Sequence, residues 1–99
     1  MQSFYAEQFD REMGCTEADW LMWLPGDIGP TKWQLTDGAA AVRIGDGKLD
    51  LSWQIGEPRV IALMRMPRLI VSFHFAGLND AERYAFMKRF DLFMHRGGG

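Results

Sequence analysis

The stretch Arg59–Phe75 reads RVIALMRMPRLIVSFHF, and apolar residues fill nearly every position between its arginines. An antiparallel pair packed on one side alternates apolar with polar side chains, so a stretch this apolar predicts two strands with something set against both faces. Which residues face which way depends on the neighbouring strands. Upstream, in AAVRIGDGKLDLSWQIGEPRV, Leu49, Leu51, Trp53 and Ile55 alternate with Lys48, Asp50, Ser52 and Gln54, the pattern of a half-buried strand. Asp46-Gly47 is a two-residue hairpin signal, and pairing Gly45 with Lys48 sets Ala40, Val42 and Ile44 opposite the Leu49 face.

Carried forward, the same register predicts a type II′ turn at Gly56-Glu57, with Pro58 opening the next strand and Val60, Ala62 and Met64 in the core. A turn at Met66-Pro67 keeps the parity and brings Leu69, Val71, Phe73 and Phe75 onto that inner face. The remaining side chains define the outer face. They form an apolar centre of Ile61, Leu63 and Ile70, rimmed by Lys48, Arg59, Arg65, Arg68 and His74. Such a patch predicts a cover: the N-terminal segment, a second copy of the chain, or a partner protein.

Helices frame these strands. In NDAERYAFMKRFDLFMHRGGG, Asn79 can cap a helix whose third residue, Glu82, reaches back to the cap. Arg83, Phe86, Met87, Phe90, Phe93 and Met94 recur at helical spacing, and Gly97 is the stop, giving a helix over 80–96. Thr16 and Asp19 resemble a capping box, predicting a shorter helix over 17–24 that ends before Pro25-Gly26. Tyr5, Phe9 and Met13 fit helical spacing, but Tyr5, Glu7, Phe9, Arg11 and Met13 also share one face of a strand, which is the preferred reading of residues 3–13. A short strand at Lys32–Leu35 lies within the turn-rich GDIGPTKWQLTDG. The expected architecture is a single two-layer α+β domain over 1–99. An antiparallel sheet of about four to six strands is covered on one face by the long C-terminal helix and a short N-terminal helix.

Composition narrows the function classes. Cys15 is the single cysteine, which excludes an intrachain disulfide and leaves no cysteine cluster for a metal. No apolar run reaches the roughly 20 residues of a membrane span, and MQSFYAEQFDRE lacks the pattern of a signal peptide, so the expected compartment is the cytoplasm, with no membrane partner. A net charge of −2 gives no global attraction for nucleic acid. The charge is nonetheless uneven: residues 1–31 hold six acidic groups against Arg11 alone, while residues 32–99 hold ten basic and seven acidic groups. Such an asymmetry can serve a self-complementary association.

Candidate chemistry is sparse. Cys15 precedes a predicted helix N-terminus, where a thiolate is favoured, but its base would be His74 or His95, and nothing in the sequence brings either close. GDG and RGGG do not join a strand to a helix with phosphate-loop spacing. The expectation is a chain without a catalytic, metal or cofactor site.

Taken together, FDREMGCTEADWLMWLPG and the C-terminal segment from MPRLIVSFHF onward resemble small uncharacterised proteins of proteobacteria. In element order the chain is similar to a shortened helix-grip domain of the START and Bet v 1 type, a likeness that implies binding of an apolar ligand. Two functional expectations follow. The first is a non-enzymatic interaction module associating with a protein partner or a second copy through Ile61, Leu63, Ile70, Arg59, Arg65, Arg68 and His74. The alternative is a small carrier holding an apolar or amphipathic ligand between helix and sheet, with Trp53, Phe73 and Phe90 as lining and Arg83 at the mouth.

Overall fold

The computed structural model describes residues 4–96. Along the chain run β1 (Gln8–Met13), α1 (Glu17–Ile28), β2 (Trp33–Thr36), β3 (Ala39–Ile44), β4 (Gly47–Ile55), β5 (Arg59–Ile61), β6 (Met64–Met66), β7 (Leu69–Ala76) and α2 (Asp80–Arg96). Five strands make one antiparallel sheet in the order β1-β7-β4-β3-β2, and β5 and β6 form a separate two-stranded sheet. The chain is thus α+β, with both helices on one face of the main sheet.

Alternation decides that face. Leu49, Leu51 and Trp53 of β4 and Leu69, Val71, Phe73 and Phe75 of β7 are buried, as are Phe86, Met87, Phe90 and Met94 of α2. Phe73 meets Phe90 edge-on with centroids 5.5 Å apart, and Trp20 of α1 reaches both Trp53 and Phe90, at 5.5 and 6.0 Å. Aromatic pairs at such separations add roughly 0.5–1.5 kcal/mol each beyond their buried area. The helix caps read from the sequence are present. Asn79 Oδ1 accepts from the Glu82 N–H and Glu82 Oε1 accepts from the Asn79 N–H, both at 2.9 Å, while Thr16 Oγ1 accepts from the Asp19 N–H at 3.1 Å. The proposed stop at Gly97 lies outside the described residues.

Several local expectations are corrected. The β3–β4 turn is Gly45-Asp46, not Asp46-Gly47, so Ile44 pairs with Gly47 and Val42 with Leu49. Gly45 supplies the positive φ of 55°. Gly47 is needed inside the strand, because a Cβ there would lie 2.6 Å from the Ala76 carbonyl oxygen and 2.7 Å from that of Gly77. Helix α1 continues through Pro25-Gly26 to Ile28 and ends at Gly29, φ 81°. Burial of Leu24, Asp27 and Ile28 along one side draws out this extra turn, despite the N–H that Pro25 lacks. Residues 8–13 are the expected strand, with Phe9, Arg11 and Met13 facing the helices.

The stretch Arg59–Phe75 departs furthest from expectation. Val60, Ala62 and Met64 are not in the core: every residue from Glu57 to Pro67 is exposed. Ile55, read as an inner residue, is 73% exposed at the end of β4.

Candidate functional site

The exposed residues 57–67 are an arm leaving the main sheet. The β4–β7 ladder ends with Ile55 opposite Leu69, followed by a Gly56 N–H donating to the Arg68 carbonyl at 2.9 Å. Pairing resumes at Arg59 opposite Met66. Gly56, Glu57 and Pro58 therefore stand on one side of the gap against Pro67 and Arg68 on the other, an offset of one residue. Such a bulge bends a hairpin and re-aims its side chains, and prolines on both sides withhold two N–H donors from any continuous ladder. Neither expected turn, at Gly56-Glu57 or at Met66-Pro67, forms: the chain reverses once, at Ala62-Leu63, so the expected core strand between them becomes part of the arm, while Leu69, Val71, Phe73 and Phe75 keep the inner face expected of them.

Beyond the offset, Ala62 and Leu63 make the turn. Ala62 has φ 54°, and among the described residues it is the only non-glycine residue with positive φ. Leu63 at the tip is fully exposed, and Val60, Ile61, Met64 and Met66 are exposed around it. By strand alternation Val60 and Arg65 share one face of the arm, and Arg59, Ile61, Met64 and Met66 the other.

The arm's base is held by charge. Glu12 of β1 accepts from Arg59 Nη2 at 2.9 Å and lies 3.1 Å from Arg68 Nε, and Arg68 Nη1 donates to the Glu57 carbonyl at 3.2 Å. Two of the rim arginines thus share a single carboxylate within the chain. Arg65 has no acidic partner among the described residues. Beside the base is an almost wholly apolar recess of about 170 Å³, lined by Cys15, Ile55, Pro58 and Pro67 with Glu17 and Arg68 at its edge.

The residues expected to form one outer patch are divided among three places. Arg59, Ile61, Leu63 and Arg65 are on the arm, and Arg68 and Ile70 are at its root. His74 lies further along β7, between Gln8 and Asp50 of the flanking strands. It lines, with Gln34, Thr36, Asp50, Ser52 and Ser72 and with Ala39 and Ala41 between them, a mixed groove of about 570 Å³ on the uncovered face.

Residues read as lining a ligand cavity are packed together instead. Phe73 and Phe90 are fully buried in ring contact, and Trp53 donates its Nε1–H to Glu17 Oε2 at 2.8 Å. Arg83 is buried and fully employed: Nε donates to the Tyr5 carbonyl at 2.8 Å, Nη1 to that of Leu78 at 2.7 Å, and Nη2 to Asp80 Oδ1. It fastens the segment before β1 to the start of α2.

Cys15 belongs to the buried core, and burial first, then the Asp19 carboxylate, push its thiol up rather than toward thiolate. His74 projects from the opposite, uncovered face. The most perturbed group is one the sequence reading missed. Asp27 is 1% exposed, its Oδ2 has no hydrogen-bond partner among the described residues, and burial followed by the charge of Asp91 pushes its carboxyl up to about 7. Asp91 itself accepts from Tyr5 Oη at 2.8 Å and pairs with Arg11, whose guanidinium lies against the rings of Phe9 and Phe73. The signal available was the spacing Trp20, Leu24, Asp27, hidden by ending the helix at residue 24.

Among the described residues no group of three or more His, Cys, Asp or Glu could hold a metal ion, and no helix is long and apolar enough to cross a membrane. No protein-family model, curated protein or solved structure matches the chain, so the helix-grip likeness rests on element order alone.

Proposed function

We propose that this chain is a non-enzymatic interaction module whose recognition element is the β5–β6 arm, and that its partner is a second copy of itself. One observation carries the reading: Val60, Ile61, Leu63, Met64 and Met66 are all exposed on an element that contributes nothing to the buried core. Monomeric surfaces seldom keep so many neighbouring large apolar groups in water, and an isolated two-stranded ribbon is marginal by itself. The unpaired edges of β5 and β6 add backbone donors and acceptors that another strand can satisfy. Self-association also gives the free cation Arg65 access to the acidic N-terminal third.

Sedimentation over a wide concentration range tests this. The wild type is expected to dimerise, and Leu63→Glu to remain monomeric with an unchanged circular dichroism spectrum. Dimerisation should weaken as salt rises. A wild type that stays monomeric throughout refutes the proposal, and if the same monomer binds anionic vesicles, the arm's partner is a lipid surface instead.

A further inference from the structure

We infer that the uncovered face of the main sheet holds a small phosphorylated, hydroxyl-rich molecule, with its phosphate on Lys32, Arg43 and Lys48. These three cations stand level across three neighbouring segments. Arg43 pairs with Lys48, and the Arg43 N–H donates to the Lys32 carbonyl at 2.8 Å. Val42 beside Arg43 and Leu49 beside Lys48 are buried toward the helices, so by alternation the charged side chains point the other way. All three line one recess of about 360 Å³.

Like charges set directly opposite one another destabilise a sheet, so the row has a cost that a bound anion would remove. Lys48 is paired with Asp50 at 3.2 Å, while Lys32 and Arg43 have no acidic partner among the described residues. Three positive charges less the one on Asp50 leave two. That matches a phosphate monoester, which carries about −1.5 to −2 at neutral pH. Arg43, in the middle of the row, presents a planar fork that suits two phosphate oxygens at once.

What lies beyond the row selects the rest of the ligand. The recess shares Gln34 and Ala41 with the groove of about 570 Å³, so the two are continuous. Along that groove Gln34, Ser52, Ser72 and His74 offer donors and acceptors to hydroxyl groups, and the small side chains of Ala39 and Ala41 leave room for the molecule's body. Asp50, and Asp10 opposite Ser72, would repel a second phosphate. A nucleic-acid strand needs cations along its whole path, and here they stop after one row. The site is on the sheet and does not depend on how the arm associates.

Amide resonances of nitrogen-15 labelled protein report binding residue by residue. Ribose 5-phosphate is expected to shift the amides of Lys32, Gln34, Ala41, Arg43 and Lys48 saturably, inorganic phosphate to shift the same set with lower affinity, and ribose to leave them unchanged. Arg43→Ala should raise the dissociation constant about tenfold or more, the loss of a charge-assisted hydrogen bond. Its melting midpoint should not fall, because one of the opposed charges is gone. Lys32→Ala, outside any strand, should weaken binding in the same direction. No saturable shift at those amides, or shifts that sodium chloride of equal ionic strength reproduces, refutes the site. Equal affinity for inorganic phosphate refutes the hydroxyl-rich body, and tighter binding of an oligothymidylate than of ribose 5-phosphate refutes the small-molecule ligand.

Discussion

Residues 59–66 and 69–75 are neighbours in the chain and similarly apolar, yet the first set is wholly exposed while Leu69, Val71, Phe73 and Phe75 are buried. Composition does not separate them; position relative to the helices does. Phe73 and Phe75 lie against Phe90 and Phe86 of α2, whereas no residue of the arm belongs to the buried core. A buried apolar side chain gains roughly 1.5–3 kcal/mol by leaving water, and the arm forgoes that gain at five positions unless something outside the monomer supplies it.

The contrast breaks most sharply under truncation. Phe90→Ala should cost about 3–5 kcal/mol in chemical denaturation, because Phe73, Phe86 and Trp20 all lose their common neighbour. Leu63→Ala, measured at a concentration where the chain is monomeric, should stay within about 0.5 kcal/mol of the wild type. Equal costs at the two positions would mean that the arm packs on its own domain.

The covered region also carries a pH dependence. Folded Asp27 keeps its proton up to about pH 7, while the unfolded chain releases it near 3.8. Between those values the native state binds the extra proton, so stability falls as pH rises through the window and levels off above it. Asp27→Asn should remove that fall and be more stable than the wild type at pH 8 by a few kcal/mol at most. Identical slopes in denaturation midpoint from pH 4 to 8 would show that the carboxyl ionises freely.

The smallest effect is expected at Ala62. Glycine there relieves the positive φ at a cost in unfolded-chain entropy, so Ala62→Gly should leave the global midpoint within about 0.5 kcal/mol while slowing hydrogen exchange in the arm. A larger shift of the midpoint would show that arm and domain unfold together.

What could be read in the sequence follows from the same contrast. The β4 alternation, the inner face of β7 and the α2 stripe were legible because each repeats over several turns or pleats with a single period. The arm was not, since a one-residue offset between Gly56–Pro58 and Pro67–Arg68 leaves no mark on composition yet breaks the parity between the main sheet and the arm. The one-residue shift of the β3–β4 turn escaped for another reason. Gly47 is dictated by the carbonyls of Ala76 and Gly77, some 30 residues later, and no local rule contains that contact. The residues expected to form one patch are divided between arm, root and open face by the bulge, which no local pattern contains.

The pairing of β1 with β7 has a consequence for the order of events during synthesis. Met13 meets Leu69 and Gln8 meets His74, so during synthesis β1 waits for a partner made roughly 60 residues later. At about 5–20 residues per second that delay is on the order of several seconds, far longer than the microseconds in which a local hairpin such as β3–β4 closes. Throughout it Phe9 and Met13 have no strand to lie against. Docking of β1, and with it the Arg83 tie to Tyr5 and the Glu12 clamp on the arm, therefore comes late, and the arm acquires its fixed direction only when the domain is otherwise complete.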